Sequence, residues 1–385
     1  MMRWNLWVLL IGIPVLPNLA QADIWLDRTH DCPATSITDA LHLDADGTLW
    51  VGCGTNGSGF GLFYSTNQGA DWAAASTAPE IGIDSWRVTA IHRGYDGALY
   101  VGGTATAQGD NTVVLRLVTS AEPPFAVSPV LVKAPFIGYS FTVGNYRDLS
   151  DGRALADSLT GSDRLFRPSA EVSQSALDWE IPAPSHPQFL DLVSFNDAFY
   201  AAGSLIAQGP RVFLPPLQPE AHPASLVEVI LDSQQSGLIS GLAVNEQRIV
   251  GTGINNQTNR GVIYVSGSDP YDADTWTRHD LSSLANLGDG LSWGQGACMR
   301  GAMVVVVGER QPLVDGGGLA VLSIDGGQSF HNISPASGPR SISRCVIDEQ
   351  GAVVVAGSGS YLGLWTGFSV IDPIFQSRFE ALEVE

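Results

Sequence analysis

Apolar and polar positions along this chain form a unit that returns about every 50 residues. Each unit has an apolar strand, a short polar turn, a second apolar strand and a glycine-rich stretch. The pattern occurs seven times, with its turn at Gly47, Gly97, Gly152, Asp197, Glu246, Gly301 and Gly351. Such a period predicts repeated supersecondary units, each of which needs its neighbours to bury its faces.

The first repeat displays four strands. Residues 37–43 predict strand A, residues 44–47 a tight turn with Asp and Gly where a hairpin needs them, and residues 49–52 strand B. Residues 60–64 predict strand C, and residues 65–72 a turn that enters strand D. Helical periodicity is absent apart from the N-terminal segment, so the chain is predicted to be all-β.

The turn before strand D recurs along the chain. Residues 323–330 read SIDGGQSF, residues 65–72 read STNQGADW, and residues 266–276 keep the serine, Asp269 and a closing Trp276. This segment resembles the Asp-box, or BNR repeat, written S-x-D-x-G-x-[ST]-W. In such a turn a short acceptor caps backbone N–H groups, glycine takes a positive φ, and the aromatic packs between sheets. The resemblance implies a sialidase-like superfamily fold.

We therefore predict a seven-bladed β-propeller over residues 23–371. The seventh repeat has no clear strand D, and residues 23–29 supply a candidate in which Trp25 matches Trp72, Trp179 and Trp276. The N-terminal strand of the mature protein would then complete the last blade, close the ring and remove an exposed sheet edge.

The first 22 residues read as a signal peptide. Arg3 precedes an apolar run over residues 4–19, and Ala20-Gln21-Ala22 has the small residues of a cleavage site. We expect a secreted or periplasmic protein. Residues 372–385 lie outside the repeat and resemble the short Ile-Phe-x-x-x-Phe-Glu endings of some secreted bacterial proteins; the alternative is a disordered acidic tail.

The formal net charge of −20 disfavours binding to nucleic acid. No later segment approaches 18 consecutive apolar residues, so we predict no transmembrane segment. We expect a monomer without cofactor whose partner is a protein or a glycan.

The four cysteines are Cys32, Cys53, Cys298 and Cys345. Export makes disulfides plausible, and four cysteines allow three pairings. Cys298 and Cys345 both lie in the first strand of adjacent repeats, which favours the pairs Cys298–Cys345 and Cys32–Cys53. Four buried free thiols are the alternative. We expect no metal site, because no two cysteines have the close spacing of zinc ligands.

Loops that follow strand B and loops that enter the next repeat share one face of a propeller, and ligands usually bind at that loop-rich face. Aromatic and arginine side chains there suit glycan or peptide binding. The binding candidates are Trp86, Arg87, Tyr139, Trp293 and Arg340. Ordinary loop composition and packing at strand edges is the alternative interpretation.

Evidence for catalysis is sparse. Sialidases carry an Arg-Ile-Pro motif that this chain lacks, so no sialidase site residue is transferred. Asp39 and Asp191 lie near the starts of strand A in roughly opposed repeats and are candidates for a carboxylate pair, with solvated or turn-capping carboxylates as the alternative. His42 and His92 share one register in adjacent repeats, which suits a metal or, in preference, a buried polar network.

The sequence thus predicts an exported β-propeller that acts as a binding or scaffold protein through its loop-rich face. A glycan-active hydrolase or lyase that uses the mouth carboxylates is the alternative, and a structural or adhesive module is a third possibility.

Overall fold

A computed structural model represents the 385-residue chain. It describes residues 25–28, 38–53, 59–77, 85–105, 112–119, 123, 125–133, 143–158, 164–167, 188–204, 209–217, 226–285, 290–311, 316–358 and 361–366. The predicted signal peptide over residues 1–22 and the predicted tail over residues 372–385 lie outside these ranges.

The described residues are almost entirely β-structure. The strands in chain order are β1 (Trp25–Asp27), β2 (Thr38–Leu43), β3 (Leu49–Cys53), β4 (Gly59–Phe60), β5 (Leu62–Ser65), β6 (Ala73–Ala74), β7 (Ser76–Thr77), β8 (Ser85–Arg93), β9 (Leu99–Ala105), β10 (Thr112–Thr119), β11 (Ala126–Lys133), β12 (Val143–Asp148), β13 (Ala154–Ser158), β14 (Arg164–Arg167), β15 (Gln188–Phe195), β16 (Ala198–Ser204), β17 (Arg211–Leu214), β18 (Val227–Ile230), β19 (Gly237–Val244), β20 (Ile249–Asn255), β21 (Arg260–Val265), β22 (Thr277–Asp280), β23 (Leu291–Arg300), β24 (Met303–Gln311), β25 (Gly318–Ser323), β26 (His331–Asn332), β27 (Ile342–Ile347), β28 (Val353–Gly357) and β29 (Leu362–Trp365).

Two short helical segments interrupt the β-structure. A 3₁₀ turn covers Ala273–Thr275, and helix α1 covers Leu281–Leu284, capped by the Asp280 carboxylate. Neither was predicted, because a single turn leaves no periodic signal. Among the described residues, no helix is long and apolar enough to cross a bilayer.

The prediction of seven blades is wrong, because the described residues form five four-stranded blades. Their strand orders are β2-β3-β5-β6, β15-β16-β17-β18, β19-β20-β21-β22, β23-β24-β25-β26 and β1-β29-β28-β27. The remaining strands form a six-stranded sheet, β4-β8-β9-β10-β11-β7, and a sheet with three described strands, β12-β13-β14.

The second repeat departs from the regular unit for an identifiable reason. In the six-stranded sheet, β4 and β7 from the first repeat pair in parallel with β8 and β11. These long-range parallel pairs add a strand at each edge of the second repeat. In the third repeat, Trp179 was predicted to lie in a fourth strand, and it falls outside the described residues.

The first strand of each repeat lines a central channel, and we call these first strands the inner strands. The inner strands are β2, β8, β12, β15, β19, β23 and β27. Each inner strand has a β-bulge near its start, for example between Thr38 and Ala40 in β2 and between Ile342 and Arg344 in β27. A bulge bends the strand and turns its later side chains. The inner strands therefore present equivalent positions to the channel.

Apolar side chains fill the spaces between neighbouring sheets. Trp50 and Leu62 of one blade pack with Val88 and Leu99 of the six-stranded sheet, and all four are fully buried. Similar clusters lie between the other sheets that the structure describes. This explains why strand B is apolar on both faces, since each sheet is covered on two sides.

The predicted pairing between the N-terminal residues and the last repeat is confirmed. β1 is antiparallel to β29, with Trp25 opposite Trp365 and Asp27 opposite Gly363. The indole Nε1 of Trp25 donates to the carbonyl of Ile333 at 2.6 Å. β1 is therefore the outer strand of the sheet formed by the C-terminal repeat.

The repeated turns have the geometry that the sequence predicts. A positive φ is found at Gly47, Gly97, Gly152, Asp197, Gly301 and Gly351. The turn at Glu246 closes instead through the N–H of Asn245, which donates to the carbonyl of Arg248 at 3.0 Å.

The predicted capping of the residues 323–330 turn is also present. Oδ1 of Asp325 accepts from the N–H groups of Gln328 and Ser329 at 3.0 and 2.9 Å, and Phe330 is buried. Burial opposes ionisation of Asp325, but its hydrogen bonds with Ser329 and Ser323 outweigh that effect and lower its pKa to about 2. In the residues 65–72 turn, Asn67 takes the place of this carboxylate and accepts from the N–H of Asp71 at 2.9 Å.

Candidate functional site

The central channel encloses a cavity of about 320 Å³. The inner strands begin at one end of it, which we call the loop side, and end at the repeated turns, which we call the turn side. The third residue after each bulge lines this cavity. These residues are His42, His92, Arg147, Val193, Ala243, Cys298 and Val346.

Asp44 is the hub of a polar network at the turn side. Nε2 of His42 lies 3.0 Å from Oδ1 of Asp44, and the indole of Trp50 donates to Oδ2 at 2.7 Å. Arg93 donates to both carboxylate oxygens, with its Nε 2.9 Å from Oδ1. Burial alone would raise the pKa of Asp44. The hydrogen bonds and charges of Arg93 and His42 outweigh that effect and hold the pKa well below its ordinary value. A permanently ionised Asp44 therefore joins the first blade to the six-stranded sheet.

His92 makes the equivalent link to the next sheet. Its Nε2 lies 2.8 Å from Oδ1 of Asp148, and its ring is 6.4 Å from that of His42. Burial lowers the pKa of His92 to about 4, and the charges of Arg147 and His42 act in the same direction, against the hydrogen bond with Asp148. His92 is thus neutral at pH 7. The interpretation of both histidines as parts of a polar network is confirmed.

Asp191 lies in the channel, but its carboxylate is engaged. Oδ1 accepts the N–H of Leu192 at 3.0 Å, and Oδ2 accepts the N–H of Leu242 at 2.8 Å. Leu242 belongs to β19, so Asp191 ties its own blade to the next. Such backbone bonds favour a structural carboxylate over a nucleophile or base.

Trp293 lies at the loop side, near the start of β23. Its Nε1 is 3.3 Å from Oγ of Ser240, and Glu309 is its direct neighbour on β24. The Glu309 carboxylate is buried and is hydrogen-bonded by the side chains of Gln311 and Gln295. Burial raises the pKa of Glu309 above its ordinary value, and the two hydrogen bonds offset only part of that rise.

Arg340 lies close to this group. Its side chain is exposed, and its backbone N–H donates to Oγ of Ser358 at 3.0 Å. The adjacent residue, Ser341, forms an isolated bridge with Glu309. The structure therefore brings two predicted binding residues, Trp293 and Arg340, to opposite sides of Glu309. We call Trp293, Gln295, Glu309, Gln311 and Arg340 the loop-side patch.

The other predicted site residues are less fully described. Asp39 occupies the bulge of β2, and Trp86 and Arg87 pair through their backbones with Ala105 and Thr104. The side chains of these three site residues, and Tyr139 as a whole, lie outside the described residues. Their roles remain predictions.

Neither a family model nor a curated protein matches this sequence significantly. Solved structures do match over most of the chain. YCF48 bound to D1 peptide is 13% identical, with a TM-score of 0.59 over 90% of this chain and 97% of that one. A streptogramin B lyase is 9% identical, with a TM-score of 0.58 over 88% and 96%.

The chain is a β-propeller. The GH74 xyloglucanase from Xanthomonas campestris is also similar, at 12% identity and a TM-score of 0.55. The match covers 88% of this propeller but 53% of the xyloglucanase chain. Identities this low establish the fold and nothing about activity.

The predicted disulfide Cys298–Cys345 is present in the propeller. It joins β23 to β27, with a Cα–Cα distance of 5.7 Å. Cys32 and the side chain of Cys53 lie outside the described residues, so that pair remains a prediction. In the described part of the chain, no three His, Cys, Asp or Glu residues are grouped to hold a metal ion.

The sequence analysis missed Glu309 as a site residue. It appears only as the polar end of an apolar strand, VVVVGE, at the edge of a loop. Its burial comes from β23 and from the start of the next repeat, which the local pattern does not reveal. A charged residue near the end of a buried apolar strand was the available signal.

Proposed function

We propose that this β-propeller is an exported binding protein that takes a peptide or a glycan at its loop-rich face. The observation that carries the proposal is the loop-side patch. An aromatic ring, a buried carboxyl and two carboxamides lie together at one end of the channel, and the exposed Arg340 adjoins them in the chain through Ser341, which bridges Glu309. Aromatic and arginine side chains supply much of the energy of such interfaces.

Export is supported by the signal-like N-terminal pattern and by the Cys298–Cys345 disulfide, since disulfides persist in oxidising compartments. The Asp-box assignment is supported by the hydrogen bonds around Asp325. Binding to a peptide has a structural parallel, because a similar propeller is described as bound to D1 peptide.

A glycan hydrolase or lyase is the second candidate. The raised pKa of Glu309 favours it, because a carboxyl group with a raised pKa is protonated over a wider pH range and can then act as a general acid. Asp191 is poorly suited to be the second carboxylate of such an enzyme, since both its oxygens accept backbone N–H groups.

A glycan array followed by turnover assays on each hit tests both functions. Binding without turnover, weakened at least tenfold by Trp293→Ala and unaffected by Asp325→Asn on the turn side, supports the binding function. Turnover that Glu309→Gln abolishes supports the enzyme. Retained binding in Trp293→Ala, Glu309→Gln and Arg340→Ala would overturn the assignment to this patch.

A further inference from the structure

The two sides of the channel wall differ in polarity. On β2, β8 and β12, the third residue after the bulge is His42, His92 and Arg147. On the remaining inner strands the same position is apolar or a disulfide cysteine, as at Val346 and Cys298. All five residues line one cavity of about 320 Å³, so at this level of the channel the histidines and Arg147 lie together on one side of the described wall.

A second guanidinium group lines the same cavity. Arg344 is the first residue after the bulge in β27, and its Nη1 donates to the carbonyl of Ser343 at 3.2 Å. The described carboxylate in the cavity is Asp191, whose oxygens accept backbone N–H groups. The whole chain has 19 basic against 39 acidic side chains, so two arginines around one cavity depart sharply from its overall charge.

The groups that face His92 in the channel are Asp148, Arg147 and Tyr146 from β12, and His42 from β2. Burial is the main cause of its lowered pKa. The charges of Arg147 and His42 also oppose its protonation, whereas the charge of Asp148 favours it. Low-dielectric walls strengthen such a field, and a bound anion would relieve the repulsion.

We propose that the central channel binds a small oxyanion, a carboxylate or an inorganic anion such as sulfate, between Arg147, Arg344 and the two histidines. Guanidinium groups and imidazole N–H groups are the donors that recognise such oxygens. This site goes beyond the proposed function, since it lies inside the channel and uses none of the residues of the loop-side patch.

Isothermal titration calorimetry of the purified protein tests the proposal with two probes. Sulfate represents a free inorganic anion, and glucuronate represents the carboxylate of a sugar acid. Saturable binding of either probe supports the site and identifies the source of the anion. Failure of both probes to bind at millimolar concentration overturns it, whatever the loop-side patch binds.

Substitutions locate the binding. We expect Arg344→Gln to weaken it at least tenfold and Arg344→Lys, which keeps the charge, to weaken it less. Arg278→Gln is the matched control, because Arg278 lies on the outer strand β22 near Asp232, at 3.6 Å. Equal weakening by Arg344→Gln and Arg278→Gln contradicts the proposal. If Arg344→Gln fails to fold, Arg147→Gln provides the same test.

Proton linkage gives a second readout. A bound anion stabilises the protonated form of His92, so the affinity for sulfate should rise as the pH falls towards 4. Sulfate keeps its charge in this range. His92→Gln should weaken the binding of sulfate and remove that rise with falling pH. An affinity that is independent of pH in the unmodified protein overturns the placement beside His92.

Discussion

Two sides of the central channel hold neighbouring sheets together by different chemistry. On the side of β2, β8 and β12, an ion pair between Arg93 and Asp44 and a hydrogen bond between His92 and Asp148 cross between sheets. On the side of β23 and β27, the Cys298–Cys345 disulfide and a cluster of apolar side chains do so. The Arg93–Asp44 and His92–Asp148 contacts anchor the six-stranded sheet to its two neighbours, and the disulfide joins two four-stranded blades.

This difference indicates that an irregular sheet can keep its place in the ring if its inner strand is tied at the turn side. Regular four-stranded blades already bury apolar faces on both sides. The stability of the first region should therefore depend on charge and pH, and that of the second on covalent bonding and packing. The following experiments test this division.

Removal of the Cys298–Cys345 disulfide should have the largest effect. The bond spans 47 residues, and a loop of that size is expected to contribute about 4 kcal/mol to the free energy of unfolding at 25 °C. The double variant Cys298→Ala/Cys345→Ala, followed by chemical denaturation, measures the loss. Both single variants should lose nearly as much, because each breaks the same bond; a loss below about 1 kcal/mol would show that apolar packing suffices.

Asp44→Ala should lower the free energy of unfolding by about 3 kcal/mol, because it leaves Arg93 and the indole of Trp50 without their partner. Asp46→Ala in the same turn is the control. Asp46 is exposed and accepts one N–H, from Thr48 at 2.9 Å, so its loss should cost about 1 kcal/mol or less. Equal losses in the two variants would contradict a hub at Asp44.

Acid should weaken the polar region through His92. Its pKa of about 4 in the folded state lies below the ordinary value of about 6.5, so the unfolded chain binds more protons between these values. Stability should fall as the pH drops from about 6.5 to 4, by up to roughly 3 kcal/mol, and this group adds no further change below pH 4. His92→Gln should flatten the dependence, as followed by thermal unfolding across this range; an unaltered slope would exclude His92 as its source.

Trp25→Ala should cost about 2 kcal/mol, because the indole is half-buried and donates to the carbonyl of Ile333. Leu26→Ala is the matched control on the same strand. Its side chain is 45% exposed, and its loss should cost less than about 0.5 kcal/mol.

Deletion of residues 23–29 should lower the melting temperature by several degrees. An unchanged melting temperature would mean that β1 adds nothing to the sheet.

Features built on local turns or on repeat register were predictable from the sequence. Cys298 and Cys345 occupy the first strands of adjacent repeats, and Trp25 has the place of a strand D aromatic, so both long-range contacts followed from the period. The parallel pairing of Ser76–Thr77 with Ala126–Val127 was not predictable, since two-residue strands give no periodic signal. These additions made the count of seven regular blades wrong.

The chemistry of the candidate site was harder to predict than the fold. The sequence identifies Asp44 as a turn residue but not its contact with Arg93, which lies 49 positions away at the end of β8. It likewise identifies Asp191 as a carboxylate, but not that a backbone N–H of the next blade occupies one of its oxygens. Charge and burial at such positions depend on the distances between repeats in the folded protein. The period of the sequence does not specify those distances.

The pairing of β1 with β29 has a consequence for biogenesis. Residues 25–27 leave the ribosome long before residues 362–365 are made. β1 therefore has no partner strand until synthesis reaches β29, and a product truncated before β29 keeps an open hydrogen-bonding edge. Completion of that sheet thus reports that synthesis has passed β29.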